Sequence, residues 1–172
     1  VDELPWDTID FSGLPDFLRD AVAMLYTQTH YGELGSLHAA ARLVEHCPSL
    51  VGRLFGATQV MDEARHVEWF TKLLQKLGSP QAVKPTIVHF VQEVCSEPEP
   101  EALLVGLQLM MEGLAQSLFL EMGRRVRDLD LSAEAMAPMR GLSTVLGDWM
   151  LRYIARDESR HVSFGVTYLS ER

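Results

Sequence analysis

Apolar residues recur at helical spacing along most of the chain, and proline and glycine interrupt the pattern at a few places. The pattern predicts a first helix from about Pro15 to His46 and a second from about Ser49 to Leu77. Pro48 marks the end of the first, and Gly78-Ser79-Pro80 is a strong stop signal after the second. The tight turn between them makes the two helices antiparallel neighbours.

The second half of the chain predicts two more helices, from Glu101 to about Arg127 and from about Leu142 to Leu169. The proline-rich stretch Pro80–Pro100 is interpreted as a long crossover connection, within which Thr86–Ser96 could form a short helix. Asp128–Gly141 is a second connection that could contain a helical turn. The third helix is apolar on nearly every side, which indicates a position in the middle of the fold. No segment alternates like a strand, so the sequence predicts an all-α bundle with one long crossover.

Composition is compatible with one domain over residues 1–172, with Val1–Leu14 as an irregular N-terminal arm. The net charge of -9 disfavours nucleic acid as a partner, because phosphate binding needs a basic surface. The two cysteines, Cys47 and Cys95, form no CxxC pair and suit a reducing compartment. No run of eighteen apolar residues lacks charges and breakers, and no signal peptide is visible. The sequence therefore predicts a cytoplasmic protein without a membrane partner.

One motif occurs twice: residues 62–67 and 157–162 both read Asp-Glu-x-Arg-His-Val, inside the second and fourth predicted helices. A glutamate and a histidine three residues apart lie about 60° from each other on a helix, so both can reach one metal ion. Carboxylate and imidazole together suit iron, manganese or zinc. A single copy is common by chance, but two copies in an all-helical chain favour a metal site. The two pairs are Glu63 with His66, and Glu158 with His161.

A dinuclear carboxylate site also needs one glutamate from each of the other two helices. The first helix offers Glu33 and Glu45, of which Glu33 lies at the height of the motif across the antiparallel pair. The third helix offers Glu112 and Glu121. Glu112 matches the height of the second motif and has apolar neighbours, so it is preferred, while Glu121 stays open as an alternative.

These residues resemble the ferritin-like diiron carboxylate superfamily, especially its oxygenase and ribonucleotide-reductase-small-subunit branch. The resemblance covers about Tyr31 to Gly165 and rests on Glu33 and the runs 57–66, 111–115 and 154–161. It implies a ferritin-like four-helix bundle with a dinuclear metal site in its core. One departure is the long stretch between the third and fourth helices, which we interpret as an insertion.

The resemblance also implies roles for particular residues. The implied metal ligands are Glu33, Glu63, His66, Glu112, Glu158 and His161. Asp62 and Asp157 resemble family residues that reach across to a ligand histidine, which pairs Asp157 with His66 and Asp62 with His161. Phe70 stands four residues after His66, where the reductase subunit carries its radical tyrosine, so no stable tyrosyl radical is expected and Phe70 would line a substrate pocket.

The function implied by the resemblance is that of an O₂-activating diiron oxygenase or oxidase. Its cofactor would be two iron ions, with a manganese–iron pair as an alternative. Its partners would be O₂, a small organic substrate and an external electron donor, and a homodimer is compatible with this branch. The alternative function is iron oxidation and storage of the ferritin or bacterioferritin kind. A structural bundle that keeps the motif without catalysis is a third hypothesis.

Overall fold

The computed structural model describes residues 4–78, 81–130, 132, 134–137 and 139–171. Within these ranges every regular element is helical, which confirms the predicted all-α class. Two short 3-10 turns cover Trp6–Thr8 and Glu134–Met136. The five helices are Asp16–His46 (α1), Leu50–Leu77 (α2), Pro85–Ser96 (α3), Pro100–Arg127 (α4) and 139–170 (α5). α1 packs along α2, α4 packs along α5, and α3 lies against α1.

The ends of α1 and α2 lie at the helix-capping and helix-ending residues of the sequence. Ser49 caps α2, because its Oγ accepts a hydrogen bond from the backbone N–H of Gly52 at 3.0 Å. Gly78 ends α2 with a φ of 81°, in the left-handed region that favours glycine. Ser79 and Pro80, the rest of the predicted stop signal, lie outside the described residues.

The boundary predicted for the last helix was wrong by three residues, since α5 begins at Met139 and not at Leu142. α4 and α5 also contain π-helical segments, over Val105–Met111 and Ser143–Ile154. Each continues directly into the α-helical segment that carries the candidate ligands, which begin at Glu112 in α4. Segments of this kind occur frequently at functional sites.

The described part of the N-terminal arm is irregular, as predicted, apart from its 3-10 turn, yet it belongs to the core. Trp6 is 7% exposed and packs edge-on against Trp69 and Trp149, with ring centroids 5.6 and 5.2 Å apart. Ile9 and Phe11 are buried in the same cluster. The arm therefore fastens α2 to the π-helical part of α5.

α4 does not lie in the middle of the fold on every side, so that expectation was wrong. One face is exposed, and Leu114 is the extreme case at 69%; Val105, Leu109 and Met110 are also exposed. By length and composition alone α4 could cross a membrane, but the core helix of a soluble protein passes the same test. Its other face buries Gln108 and Glu112 at 0% and 1% exposure, and the fold is consistent with a soluble protein.

Candidate metal centre

Six acidic and imidazole side chains from four helices meet in the interior. α1 contributes one, α2 two, α4 one and α5 two, and none is more than 4% exposed: Glu33, Glu63, His66, Glu112, Glu158 and His161. Charged side chains are rarely buried unless they are paired or bind a metal. The structure thus brings together all six residues that the sequence singled out.

The six side chains form two overlapping groups, and each group could hold a metal ion. One ligand atom from each member lies within 4.8 Å of the others in the group. The first group is Glu33, Glu63, His66 and Glu158, and the second is Glu63, Glu112 and His161. Glu63 belongs to both.

Glu63 and Glu158 each span the two histidines. Glu63 Oε2 lies 3.4 Å from Nδ1 of His66, and its Oε1 lies 3.3 Å from Nδ1 of His161. For Glu158 the corresponding distances are 3.0 Å from Oε1 to His66 and 3.5 Å from Oε2 to His161. The imidazole centroids are 6.3 Å apart. Two carboxylates that each present one oxygen to each side have the arrangement of bridging ligands.

Glu33 and Glu112 occupy the two ends of the group. Glu33 Oε2 lies 3.3 Å from Nδ1 of His66, and Glu112 Oε2 lies 3.6 Å from Nδ1 of His161. Each therefore serves one histidine, as a terminal ligand would. The alternative glutamates lie elsewhere: Glu45 is exposed beside His46, and Glu121 is exposed and paired with Arg125.

Several polar atoms of this cluster lack a hydrogen-bond partner. Among the described residues, the buried side-chain atoms without a partner include both carboxylate oxygens of Glu158, Oε2 of Glu63 and Nδ1 of His161. The neighbouring imidazole nitrogens are close but are not aligned to donate to these oxygens. Leaving such an atom unsatisfied costs about 1–3 kcal/mol. A cation bound between the groups would satisfy all four atoms, so the residues fit a metal.

The pKa values of the cluster also favour a bound cation. Burial, and after it the charge of Glu112, raises the pKa of Glu63 to about 8 and that of Glu158 well above its usual range. Burial would lower the pKa of His66, but hydrogen bonds to Asp157 and Glu33 and the nearby carboxylate of Glu158 outweigh it and raise that pKa. Without a cation, the cluster therefore retains protons, which a metal ion would displace.

A carboxylate from the opposite helix lies behind each histidine. Asp157 Oδ2 is 3.4 Å from Nε2 of His66, and Asp62 Oδ2 is 3.3 Å from Nε2 of His161. Two arginines pair with both aspartates. Arg65 donates to Asp62 and, at 2.9 Å, to Asp157. Arg160 donates to Asp62 at 2.8 Å and to Asp157 at 2.6 Å. A carboxylate in this position fixes the orientation and tautomer of a ligating histidine.

Two buried amides beside the cluster were missed in the sequence. Gln59 Nε2 donates to Oε1 of Glu63 at 3.0 Å and to Oε1 of Glu112 at 3.3 Å, while Gln108 Nε2 donates to Oε1 of Gln59 at 2.5 Å. Each glutamine stands one helical turn, four residues, before a candidate ligand glutamate. That spacing is the signal that could have found them. Gly165 makes room for this chain of amides, because a Cβ there would lie 2.4 Å from Cβ of Gln108.

Phe70 is fully buried. Its ring stacks on Tyr26 and tilts against Phe119, with centroids 5.6 and 5.7 Å away, and Trp69 meets it edge-on. Phe70 therefore belongs to an aromatic layer next to the cluster, and its role as a pocket wall stays a prediction. His30 is also separate from the cluster and contacts Oγ1 of Thr71 at 3.0 Å.

No family model, curated protein or solved structure matches this chain at a significant level. The case for a metal centre rests on the residues themselves: one motif that occurs twice, two carboxylates that each lie between the histidines, and buried polar atoms that a cation would satisfy.

Proposed function

We propose that α1, α2, α4 and α5 form a ferritin-like four-helix bundle that binds two iron ions and uses them to oxidise a small organic substrate with O₂. The observation that carries the proposal is the pair of buried carboxylates, Glu63 and Glu158, each shared between the two histidines. Carboxylates and imidazoles from four helices are the ligand set of dinuclear iron and manganese sites in bundles. A manganese–iron pair fits the same donors.

Each residue has a defined task in this proposal. Glu33 and His66 would hold one ion, Glu112 and His161 would hold the other, and Glu63 and Glu158 would bridge them. Two ferrous ions would supply electrons for the reduction of O₂, and an external electron donor would return the ions to the ferrous state.

The surrounding residues orient the ligands. Asp157 and Asp62 would each accept the Nε2–H of a histidine, which leaves Nδ1 of that histidine to face the metal. The Gln59 amide would hold one oxygen of Glu63 and one of Glu112.

The shell around the cluster supports chemistry in a dry interior. Phe55 stacks on Phe164 with centroids 3.7 Å apart and meets the ring of His161 edge-on at 6.1 Å. On another side Tyr26, Phe70 and Phe119 are all fully buried. Such a shell keeps water from the reacting groups and lowers the local dielectric. An oxidant formed here would be protected from quenching by solvent.

The test is metal analysis of protein reconstituted anaerobically with ferrous iron, followed by stopped-flow absorption after mixing with O₂. About two iron ions per chain and an O₂-dependent transient absorption are expected. Absence of bound metal would refute the site. Sedimentation separates the alternative: a closed shell of many subunits with iron far in excess of two per chain would show storage, whereas a monomer or dimer with two ions supports the oxidoreductase.

A further inference from the structure

A cavity of about 440 Å³ lies beside the cluster, between the N-terminal arm, α2 and α5. Its volume is in the range of pockets that bind small molecules. His66 and Asp157 form part of its wall, so the cavity reaches the layer directly behind one histidine. The lining residues are Leu4, Arg65, His66, Trp69, Arg152, Tyr153, Ile154, Arg156 and Asp157.

Among the residues that the structure describes, two of the three arginines in this cavity have no acidic partner. Arg65 is engaged with Asp62 and Asp157. Arg152 and Arg156 are exposed, and within the described ranges no carboxylate pairs with either. They stand four residues apart on α5, where like charges repel and slightly destabilise the helix. The chain as a whole has a net charge of -9. This cavity is therefore a local concentration of positive charge, at which a bound anion would be stabilised.

The cavity also has an apolar part to its lining. Trp69 is 2% exposed and Ile154 is 1% exposed, and Leu4 closes the wall from the arm. The indole N–H of Trp69 is buried and has no hydrogen-bond partner among the described residues. A ligand with an apolar body would therefore contact these side chains.

We propose that this cavity binds a small organic anion whose charged group pairs with Arg152 and Arg156 and whose apolar part lies against Trp69 and Ile154. Guanidinium groups bind carboxylate and phosphate oxygens through paired, charge-assisted hydrogen bonds. The ligand would lie beside Arg65, which donates to Asp157 at 2.9 Å, and Asp157 lies 3.4 Å from His66. The binding site goes beyond the proposed oxidation and does not rest on it, since no step needs a metal.

Isothermal titration of the metal-free protein tests the site, with tryptophan fluorescence as a second measurement because Trp69 lines the cavity. The probes are hexanoate, its neutral counterpart hexan-1-ol, and inorganic phosphate. Hexanoate is expected to bind at one site, more tightly than either of the others. The double variant Arg152→Gln/Arg156→Gln should weaken hexanoate binding by at least about tenfold and leave hexan-1-ol binding unchanged.

The matched control is Arg124→Gln, which removes an exposed arginine of α4 outside the cavity; its hexanoate affinity should equal that of the wild type. Circular dichroism checks that each variant keeps its helices, and the single variant Arg156→Gln provides the smaller change. The proposal is overturned if hexanoate fails to bind in the millimolar range, if the double variant binds it as the wild type does, or if phosphate binds as tightly as hexanoate. Any of these results would leave the metal centre untouched.

Discussion

The two halves of the candidate metal centre have similar ligands but different surroundings. The His66 half contains Glu33 and is backed by Asp157. The side chain of Asp157 is 13% exposed and lines the cavity that contains Arg152 and Arg156. The His161 half contains Glu112, and buried amides support it from inside, because Gln59 donates to Glu112 at 3.3 Å. The first half lies beside a cavity, whereas the second is enclosed by amides and aromatic rings.

This difference arises because only part of the cluster comes from the repeated motif. The repeated motif supplies a glutamate, a histidine and the aspartate before them on both sides, so these groups are nearly equivalent. The groups that differ, Gln59, Gln108, Arg152 and Arg156, lie outside the repeat. We therefore expect two metal positions of unequal affinity within one shared pair of bridging carboxylates.

The largest effect should come from the bridges. Glu63→Ala and Glu158→Ala each remove a ligand from both positions, and bound iron should fall from about two per chain to nearly none. Glu33→Ala and Glu112→Ala each disturb one half, and about one ion per chain should remain. Elemental analysis after anaerobic reconstitution measures this directly.

Glu121→Ala is the control for these variants, because Glu121 is an exposed glutamate of α4 that pairs with Arg125 at 2.5 Å. It should bind as much iron as the wild type. Equal losses in all four ligand variants would show that the centre does not divide into bridging and terminal carboxylates.

Much of this centre could be predicted from local sequence. The two motifs fix the spacing of glutamate and histidine on a helix, and the tight turn at Pro48 sets the height of Glu33 relative to Glu63. Both inferences depend only on helix geometry and on the antiparallel pairing that a tight turn imposes. The same holds for α1 and α2, whose observed ends lie within one residue of the predicted ones.

Other features depend on contacts that a sequence pattern does not contain. Gly141 was interpreted as the end of a connection, but it lies inside α5, where a glycine costs only about 1 kcal/mol. The burial of Trp6 depends on Trp69 and Trp149, which are far away in sequence. Likewise, Gln108 meets Gln59 only once the helices have come together, so its spacing to Glu112 could mark it as a candidate but could not show this contact.

The second largest effect concerns the carboxylates behind the histidines. Asp157→Asn and Asp62→Asn keep the shape of the side chain but weaken the acceptor for Nε2–H, so metal affinity should fall by about 10–100-fold. Each variant should mainly affect its own half, Asp157→Asn the ion at His66 and Asp62→Asn the ion at His161. Competition with a chromophoric chelator resolves the two binding steps.

The control for these two variants is Asp148→Asn, at an exposed position of α5, which should bind metal as the wild type does. If both aspartate variants also matched the wild type, Asp62 and Asp157 would be acids of the surface network with Arg65 and Arg160 and nothing more.

A smaller effect, common to both halves, is expected from pH. The raised pKa of Glu63, about 8 in the metal-free protein, means that this carboxyl carries a proton at neutral pH. Glu158 and His66 also have raised pKa values, so a metal must displace more than one proton and apparent affinity should rise with pH by at least about tenfold per unit around neutral pH. Manganese(II) titrations followed by electron paramagnetic resonance at several pH values measure the slope. A slope for only one of the two ions would contradict the shared position of Glu63.

The last prediction is that substitution of the only tyrosine in the described core next to the cluster leaves the reaction with O₂ unchanged. Tyr26 is fully buried and stacks on Phe70, and its hydroxyl donates to Sδ of Met150 at 3.6 Å. Burial raises the pKa of this phenol, and a thioether is too weak an acceptor to take its proton when an electron leaves. Since Phe70 has no hydroxyl, neither ring of the pair can hold a stable phenoxyl radical. Freeze-quenched electron paramagnetic resonance of the iron-loaded protein after O₂ exposure should therefore show no long-lived tyrosyl signal, and Tyr26→Phe should react with O₂ as the wild type does. A persistent tyrosyl signal in near-stoichiometric yield, abolished by Tyr26→Phe, would place a radical on the aromatic layer and favour a reductase subunit over an oxygenase.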